Sequence, residues 1–202
     1  MRKTNLEPRS ARASRATGET TVRVSLEIDG SGSAEVDTGI GFFDHMLHLF
    51  AKHAGVDLTV AASGDLEVDG HHTVEDVGIV LGQVIRDAIG DKRGICRYGH
   101  CYVPMDEALG FCAMDFSGRP FLVFHAEFRS DLVGTMATEL VREFFQALAS
   151  AAGMTIHLKC EYGYNDHHKI EALFKAFGRA FRMAAAIDGD FADSIPSTKG
   201  VL

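Results

Sequence analysis

Two stretches of the chain space imidazole and carboxylate groups in a way that suits metal chemistry. His71-His72-Thr73-Val74-Glu75 and His167-His168-Lys169-Ile170-Glu171 both read His-His-x-x-Glu, and each opens a run with helical periodicity. Residues four apart lie on one face of a helix. His71 with Glu75, and His167 with Glu171, therefore form two-pronged grips for a transition ion. The second histidine of each pair is turned by about 100° around the helix axis. One metal is expected on His71 and Glu75 and another on His167 and Glu171, with His72 and His168 each reaching the metal of the other copy. His45 and Glu143 stand at equivalent places in the two copies, and both residue types bind metals, so both join the expected ligand set. Imidazole-rich sites with some carboxylate and no thiolate suit Mn2+, Fe2+ or Zn2+, and open positions favour an octahedral ion.

The elements that position these groups follow from periodicity. Glu19 to Ile28 alternates polar and apolar residues, as a half-buried strand does, and Asp29-Gly30-Ser31-Gly32 turns the chain. A short strand over 33–37 is expected, then a helix from Phe42 with Met46, Leu47, Leu49 and Phe50 on its apolar face, ended by Gly55. A strand over 56–62, a short extended piece over 66–68 and a helix from His71 to Gly90 follow. The pattern then restarts, with strands over 108–116 and 121–128, a helix over 138–152, a strand over 154–160 and a helix over 169–186. Glu19 to Gly30 matches Glu107 to Gly118, His45 to Leu58 matches Glu143 to Ile156, and the two His-His-x-x-Glu runs match each other. The expectation is an α+β fold made of a duplicated strands-helix-strand-helix unit. Its four helices pack together with two mainly antiparallel sheets, and its halves span 1–93 and 94–202 within one compact unit.

Composition narrows the partners. A chain of 202 residues with 46% hydrophobic content can bury a real core, and a net charge of −8 argues against nucleic acid. No apolar run nears the roughly 20 residues of a membrane span. Cys96, Cys101, Cys112 and Cys160 read as reduced thiols of a cytoplasmic protein. Arg2, Lys3, Arg9, Arg12 and Arg15 against Glu7 alone read as a basic, partly frayed arm rather than a transit peptide.

Longer motifs carry a resemblance. Gly41-Phe42-Phe43-Asp44-His45-Met46-Leu47, Asp69-Gly70-His71-His72-Thr73-Val74-Glu75-Asp76, the run from His167 to Phe177, Arg15-x-Thr17-x-Glu19-Thr20 and Pro196-Ser197-Thr198-Lys199-Gly200 together resemble the imidazoleglycerol-phosphate dehydratase family over nearly the whole chain. The resemblance implies a histidine-biosynthesis enzyme that uses two Mn2+ ions to convert imidazole-glycerol phosphate to imidazole-acetol phosphate. It also implies 24-subunit homo-oligomers with active sites between subunits; the fused phosphatase that some relatives carry is not expected in this chain. It places phosphate binding at His53, Arg97, Arg119, Lys175, Ser197 and Lys199, and substrate contact at Glu19. Two positions depart from the family pattern. Several members carry a metal-binding histidine where this chain has Glu143, and many carry glutamine where it has His48.

The chemistry is consistent with these residues. An imidazole bridging two cations loses its N–H proton readily, because bound cations depress nearby pKa values. The resulting imidazolate can expel the adjacent hydroxyl if a carboxylate shuttles protons, and Glu19 and Glu171 are the candidates for that role. Arginine offers a planar fork matched to phosphate oxygens, and the tail over 194–200 is expected to order over the bound phosphate. Two other readings stand beside this one. A two-metal phosphate-ester hydrolase would need an aspartate-rich ligand set that the sequence lacks, and an assembly protein would use closed metal sites merely to fasten subunits.

Overall fold

The computed structural model describes residues 9–202. In chain order the elements are β1 (Ser10–Ala16), β2 (Thr20–Glu27), β3 (Ala34–Asp37), α1 (Gly41–Ala54), β4 (Asp57–Gly64), α2 (His71–Ile89), β5 (Tyr98–Met105), β6 (Ala108–Asp115), β7 (Phe121–His125), β8 (Leu132–Val133), β9 (Met136–Ala137), α3 (Leu140–Ala152), β10 (Thr155–Tyr162) and α4 (Asp166–Ala185). The sheets run β1-β2-β4-β3 and β5-β6-β10-β7, so the second four-stranded sheet repeats the order of the first. In each, two ladders are antiparallel and the edge pair, β3 on β4 or β7 on β10, is parallel. The fold is α+β, as the residue pattern implies.

One face of each sheet is apolar because alternate residues point the same way. β2 buries Val22, Val24 and Leu26, and β6 buries Ala108, Cys112 and Met114. α2 covers the first sheet and α4 the second, while α1 packs on α4 and α3 on α2. The helices therefore meet in the middle, each pair joining one copy to the other. A continuous apolar cluster from Val22 to Ala185 fills the space, with Phe43, Phe50, Phe144, Phe145, Phe174, Phe177 and Phe181 at most 1% exposed.

Several sequence expectations need correction. The stretch from Ser10 is an ordered edge strand, with Arg9 forked onto Asp29 at 2.6 and 2.8 Å, so the expected frayed arm does not include it; the rest of that arm, residues 1–8, lies outside the described residues. Leu66 to Val68 forms a turn rather than an extended piece, and the strand from Phe121 stops at His125. β5 and the small β8–β9 hairpin carry no clear alternation and were not expected. Gly55 and Gly153 end α1 and α3 in the left-handed region, as their places after the periodic runs imply.

Candidate metal and phosphate site

The histidine pairs sit at the first turns of α2 and α4. The Asp69 carboxylate accepts the His71 amide at 2.7 Å, and the Asn165 side chain accepts the His168 amide at 3.3 Å, so each helix start is capped from its own loop. One turn into α4, Glu171 points the same way as His167. Glu171 Oε2 lies 3.1 Å from His167 Nε2 and 3.7 Å from His45 Nε2, which comes from α1 of the other copy. Among the described residues, His45, His167 and Glu171 are the one group of three or more such side chains whose ligand atoms converge, all within 4.8 Å. Two imidazoles and a carboxylate, with no thiolate, fit a divalent ion of borderline softness. Both imidazoles are nearly half exposed and Glu171 is 6% exposed, so the group opens outward from a buried carboxylate. Burial alone would raise Glu171, but the Lys175 ammonium 2.5 Å from its Oε1, helped by His167 and His45, holds it below the usual carboxylate value.

The first copy is arranged differently. Glu75 and Glu143 face one cleft of 400 Å3 between α2 and α3, together with Gln146 and Ser150. His71 does not line that cleft; its ring centroid is 6.2 Å from that of His72. His72 and His168 both stay outside the converged group and face carboxylates instead. His72 Nδ1 meets both Asp65 oxygens at 3.1 and 3.2 Å, with Glu19 at 3.9 Å. His168 Nδ1 meets Glu107 Oε2 at 2.7 Å. Each contact raises its imidazole above the ordinary value, with the hydrogen bond as the leading cause. Sequence reasoning passed over Asp65 and Glu107. A signal existed for Glu107, because it is the repeat counterpart of Glu19.

Glu19 stands at the tip of the β1–β2 loop, and its surroundings fix that loop. Thr17 Oγ1 accepts the Glu19 and Thr20 amides at 3.1 and 3.0 Å. Arg15 donates to Asp76 of α2 at 2.8 Å, and the Thr20 hydroxyl donates to the same carboxylate. The carboxylate of Glu19 is 58% exposed.

The expected phosphate residues fall into two places. Arg97, Arg119, Ser197 and Lys199 line one cavity of 810 Å3, over which the tail from Asp188 turns. Arg97 forks onto Asp115 at 2.7 and 3.1 Å and donates to the Pro196 carbonyl at 2.8 Å, which pins the tail. His53 and Lys175 stand apart from this cavity, beside Glu171. Burial lowers His53 first, and the charges of Lys175 and Arg179 lower it further.

Comparison with known proteins agrees with the motifs and the geometry. Residues 38–181 match the family described as imidazoleglycerol-phosphate dehydratase. The imidazoleglycerol-phosphate dehydratases of Acetivibrio thermocellus and Azorhizobium caulinodans are each 59% identical over 194 residues, covering 96% of this chain and 99% and 98% of theirs. The crystal structure of the Staphylococcus aureus enzyme superposes with a TM-score of 0.81 at 42% identity, covering 89% of this chain and 99% of that one. The Pyrococcus furiosus structure gives 0.81 at 35% identity, covering 94% and 100%. The chain belongs to the imidazoleglycerol-phosphate dehydratase family.

Proposed function

We propose that this chain dehydrates imidazole-glycerol phosphate to imidazole-acetol phosphate, a carbon–oxygen lyase step of histidine biosynthesis. The observation that carries the reading is the convergence of His45, His167 and Glu171 across the two copies, in a chain whose family does this chemistry. We assign the ligand set His45, His71, His72, Glu75, Glu143, His167, His168 and Glu171 to two Mn2+ ions, with Fe2+ or Zn2+ as alternatives. When bound, such ions supply the Lewis acidity that lowers the pKa of a substrate imidazole N–H. Arg97, Arg119, Ser197 and Lys199, with His53 and Lys175 from the other place, hold the phosphate and orient the glycerol chain. A C–H and a C–O bond break and water leaves. Glu19, on the loop fixed by Arg15 and Thr17, accepts and returns a proton during this exchange. Glu171 holds its place through Lys175 and serves as ligand and second proton carrier.

The site is built between subunits. Glu171 stands near the start of α4, whereas the Arg97 amide bonds to Ala184 at its far end, at 2.9 Å. At a rise of about 1.5 Å per residue, the grip and the phosphate cavity of one chain lie roughly 20 Å apart. An imidazole on a three-carbon phosphate chain does not span that distance, which supports a site in which a neighbouring chain brings its cavity to the grip. We extend this to a homo-oligomer of 24 subunits, in line with the family. The division of the chain near residue 93, the small-molecule phosphate substrate and a cytoplasmic place complete the proposal. No helix among the described residues is long and apolar enough to cross a membrane, and all four cysteines are free.

The test is to supply the protein and Mn2+ with imidazole-glycerol phosphate and look for a product lighter by one water. Glu19→Gln should abolish most turnover while leaving metal content and particle size unchanged. If metal-loaded wild type releases no water from that substrate, the reading is wrong.

A further inference from the structure

The two copies orient their second histidines with different carboxylates. In the second copy, Asp106 and Glu107 form the tight β5–β6 turn, with Asp106 at φ 48°. Glu107 Oε2 meets His168 Nδ1 at 2.7 Å, and its Oε1 accepts the Tyr164 and Asn165 amides at 3.1 and 2.8 Å. Both oxygens are thus committed to the loop that opens α4. In the first copy the counterpart, Glu19, stands 3.9 Å from His72 Nδ1, and its carboxylate accepts no hydrogen bond among the described residues. Asp65, at the end of β4, takes His72 with both oxygens instead.

An imidazole that donates Nδ1–H to a carboxylate keeps its Nε2 lone pair for a metal, and the contact fixes the ring's direction. Among the described residues, the carboxylate within 4 Å of His168 Nε2 is the exposed Asp106, at 3.8 Å. We infer that Glu107 and Asp65 are positioning residues that present Nε2 of His168 and His72 for ligation, and that Asp65, by taking His72, leaves the Glu19 carboxylate available for proton transfer. This accounts for a departure from the repeat: the same carboxylate position is locked in one copy and open in the other. It rests on the metal-dependent dehydratase reading above.

The test uses the whole assembly, stripped of metal by chelation and titrated with Mn2+ by calorimetry, with turnover measured separately. Glu107→Gln keeps an oxygen for the Tyr164 and Asn165 amides but turns an NH2 donor toward His168 Nδ1, which favours the tautomer that blocks Nε2. It should weaken Mn2+ binding by about 10–100-fold without lowering the particle's mass. Asp65→Ala leaves His72 to Glu19, so it should lose little Mn2+ affinity but most turnover. Adding Glu19→Gln to Asp65→Ala should then remove the retained affinity, although Glu19→Gln alone leaves affinity unchanged. Unchanged Mn2+ affinity in Glu107→Gln overturns the positioning role. Equal affinity in the Asp65→Ala single variant and the double variant overturns the division of labour. Because affinity is read without substrate, a wild type that binds Mn2+ but dehydrates nothing sinks the enzymatic reading and leaves the positioning result standing. A wild type that binds no Mn2+ overturns both.

Discussion

Without metal, His168 and Glu107 form an ion pair whose worth depends on pH. The His168 contact and the Asn165 and Tyr164 amides hold Glu107 down at about 2, and Glu107 raises His168 above the ordinary imidazole value. A depressed carboxylate contributes stability above its unfolded value near 4.5, and this is lost as pH falls toward about 2. A raised imidazole contributes stability that is full below about 6.5 and is lost as pH climbs through its folded value. Both contributions are complete between those unfolded values. The melting temperature of chelator-treated protein should therefore fall most on Glu107→Gln between about pH 4.5 and 6.5, with the gap closing at higher pH. A gap independent of pH would mean that the pair is not ionised. Arg97 offers a second test at this scale. It holds φ at 69°, a region that few non-glycine residues adopt, and Asp115 and the Pro196 carbonyl together fix its guanidinium. Lysine cannot reproduce that fork. Arg97→Lys should raise KM for imidazole-glycerol phosphate by about 10–100-fold with a smaller change in kcat, as expected when charged hydrogen bonds to a non-reacting group are lost. The pairing of His167 with Glu171 was legible in the sequence because a four-residue spacing is local. Asp65 and Glu107 were not singled out: Glu107 lies 61 residues from the imidazole it holds, and its one mark in the sequence is its repeat relation to Glu19.

At the scale of elements, helices of the two copies pack with their backbones close: on α4, which carries His167 and Glu171, a methyl group at Gly178 would stand 3.0 Å from the Phe50 carbonyl of α1, the helix that carries His45. On α2, a methyl group at Gly82 would stand 2.7 Å from the Leu148 carbonyl and 2.8 Å from the Ala151 side chain of α3, and Gly78 is in a similar place against Phe144. Gly99 and Gly110 do the same for β5 and β6 under α4, against Ala180 and Ala172. Gly82→Ala gains about 1 kcal/mol of helix propensity but incurs an overpacking cost of about 1–3 kcal/mol against main chain. The melting temperature should therefore fall, and an unchanged or higher value would show that the α2–α3 contact yields easily. These glycines also explain which strands the sequence displayed. β2, β4 and β10 alternate visibly because they bury Val, Leu or Ile at every second position, whereas β6 turns Ala108, Gly110, Cys112 and Met114 inward. β1 and β5 lie at sheet edges; β1 turns only small alanines inward, and β5 carries Gly99 and Pro104, so neither shows a hydrophobic period. The turn at Leu66 to Val68 was misread as extended because three residues carry too little pattern to separate the two.

At the scale of the molecule, the grip and the cavity proposed for phosphate lie too far apart in one chain to serve one substrate, and the surface carries exposed aromatic side chains. Phe121, Tyr162, Tyr164 and Phe191 are each more than 60% exposed. Assembly would cover that surface and bring the cavity of one chain to the grip of another. Two inactive variants can decide this. His45→Ala together with His167→Ala destroys the grip but leaves the cavity, and Arg97→Ala together with Arg119→Ala does the reverse. If sites form between chains, unfolding both variants together and refolding them in equal amounts should restore about a quarter of wild-type turnover, because random assortment gives that share of sites one intact part of each kind. Each variant refolded alone should remain inactive. If the mixture also remains inactive while light scattering shows full-sized mixed particles, grip and cavity do not meet across chains, and the distance along α4 must be closed within one chain by a rearrangement of its tail.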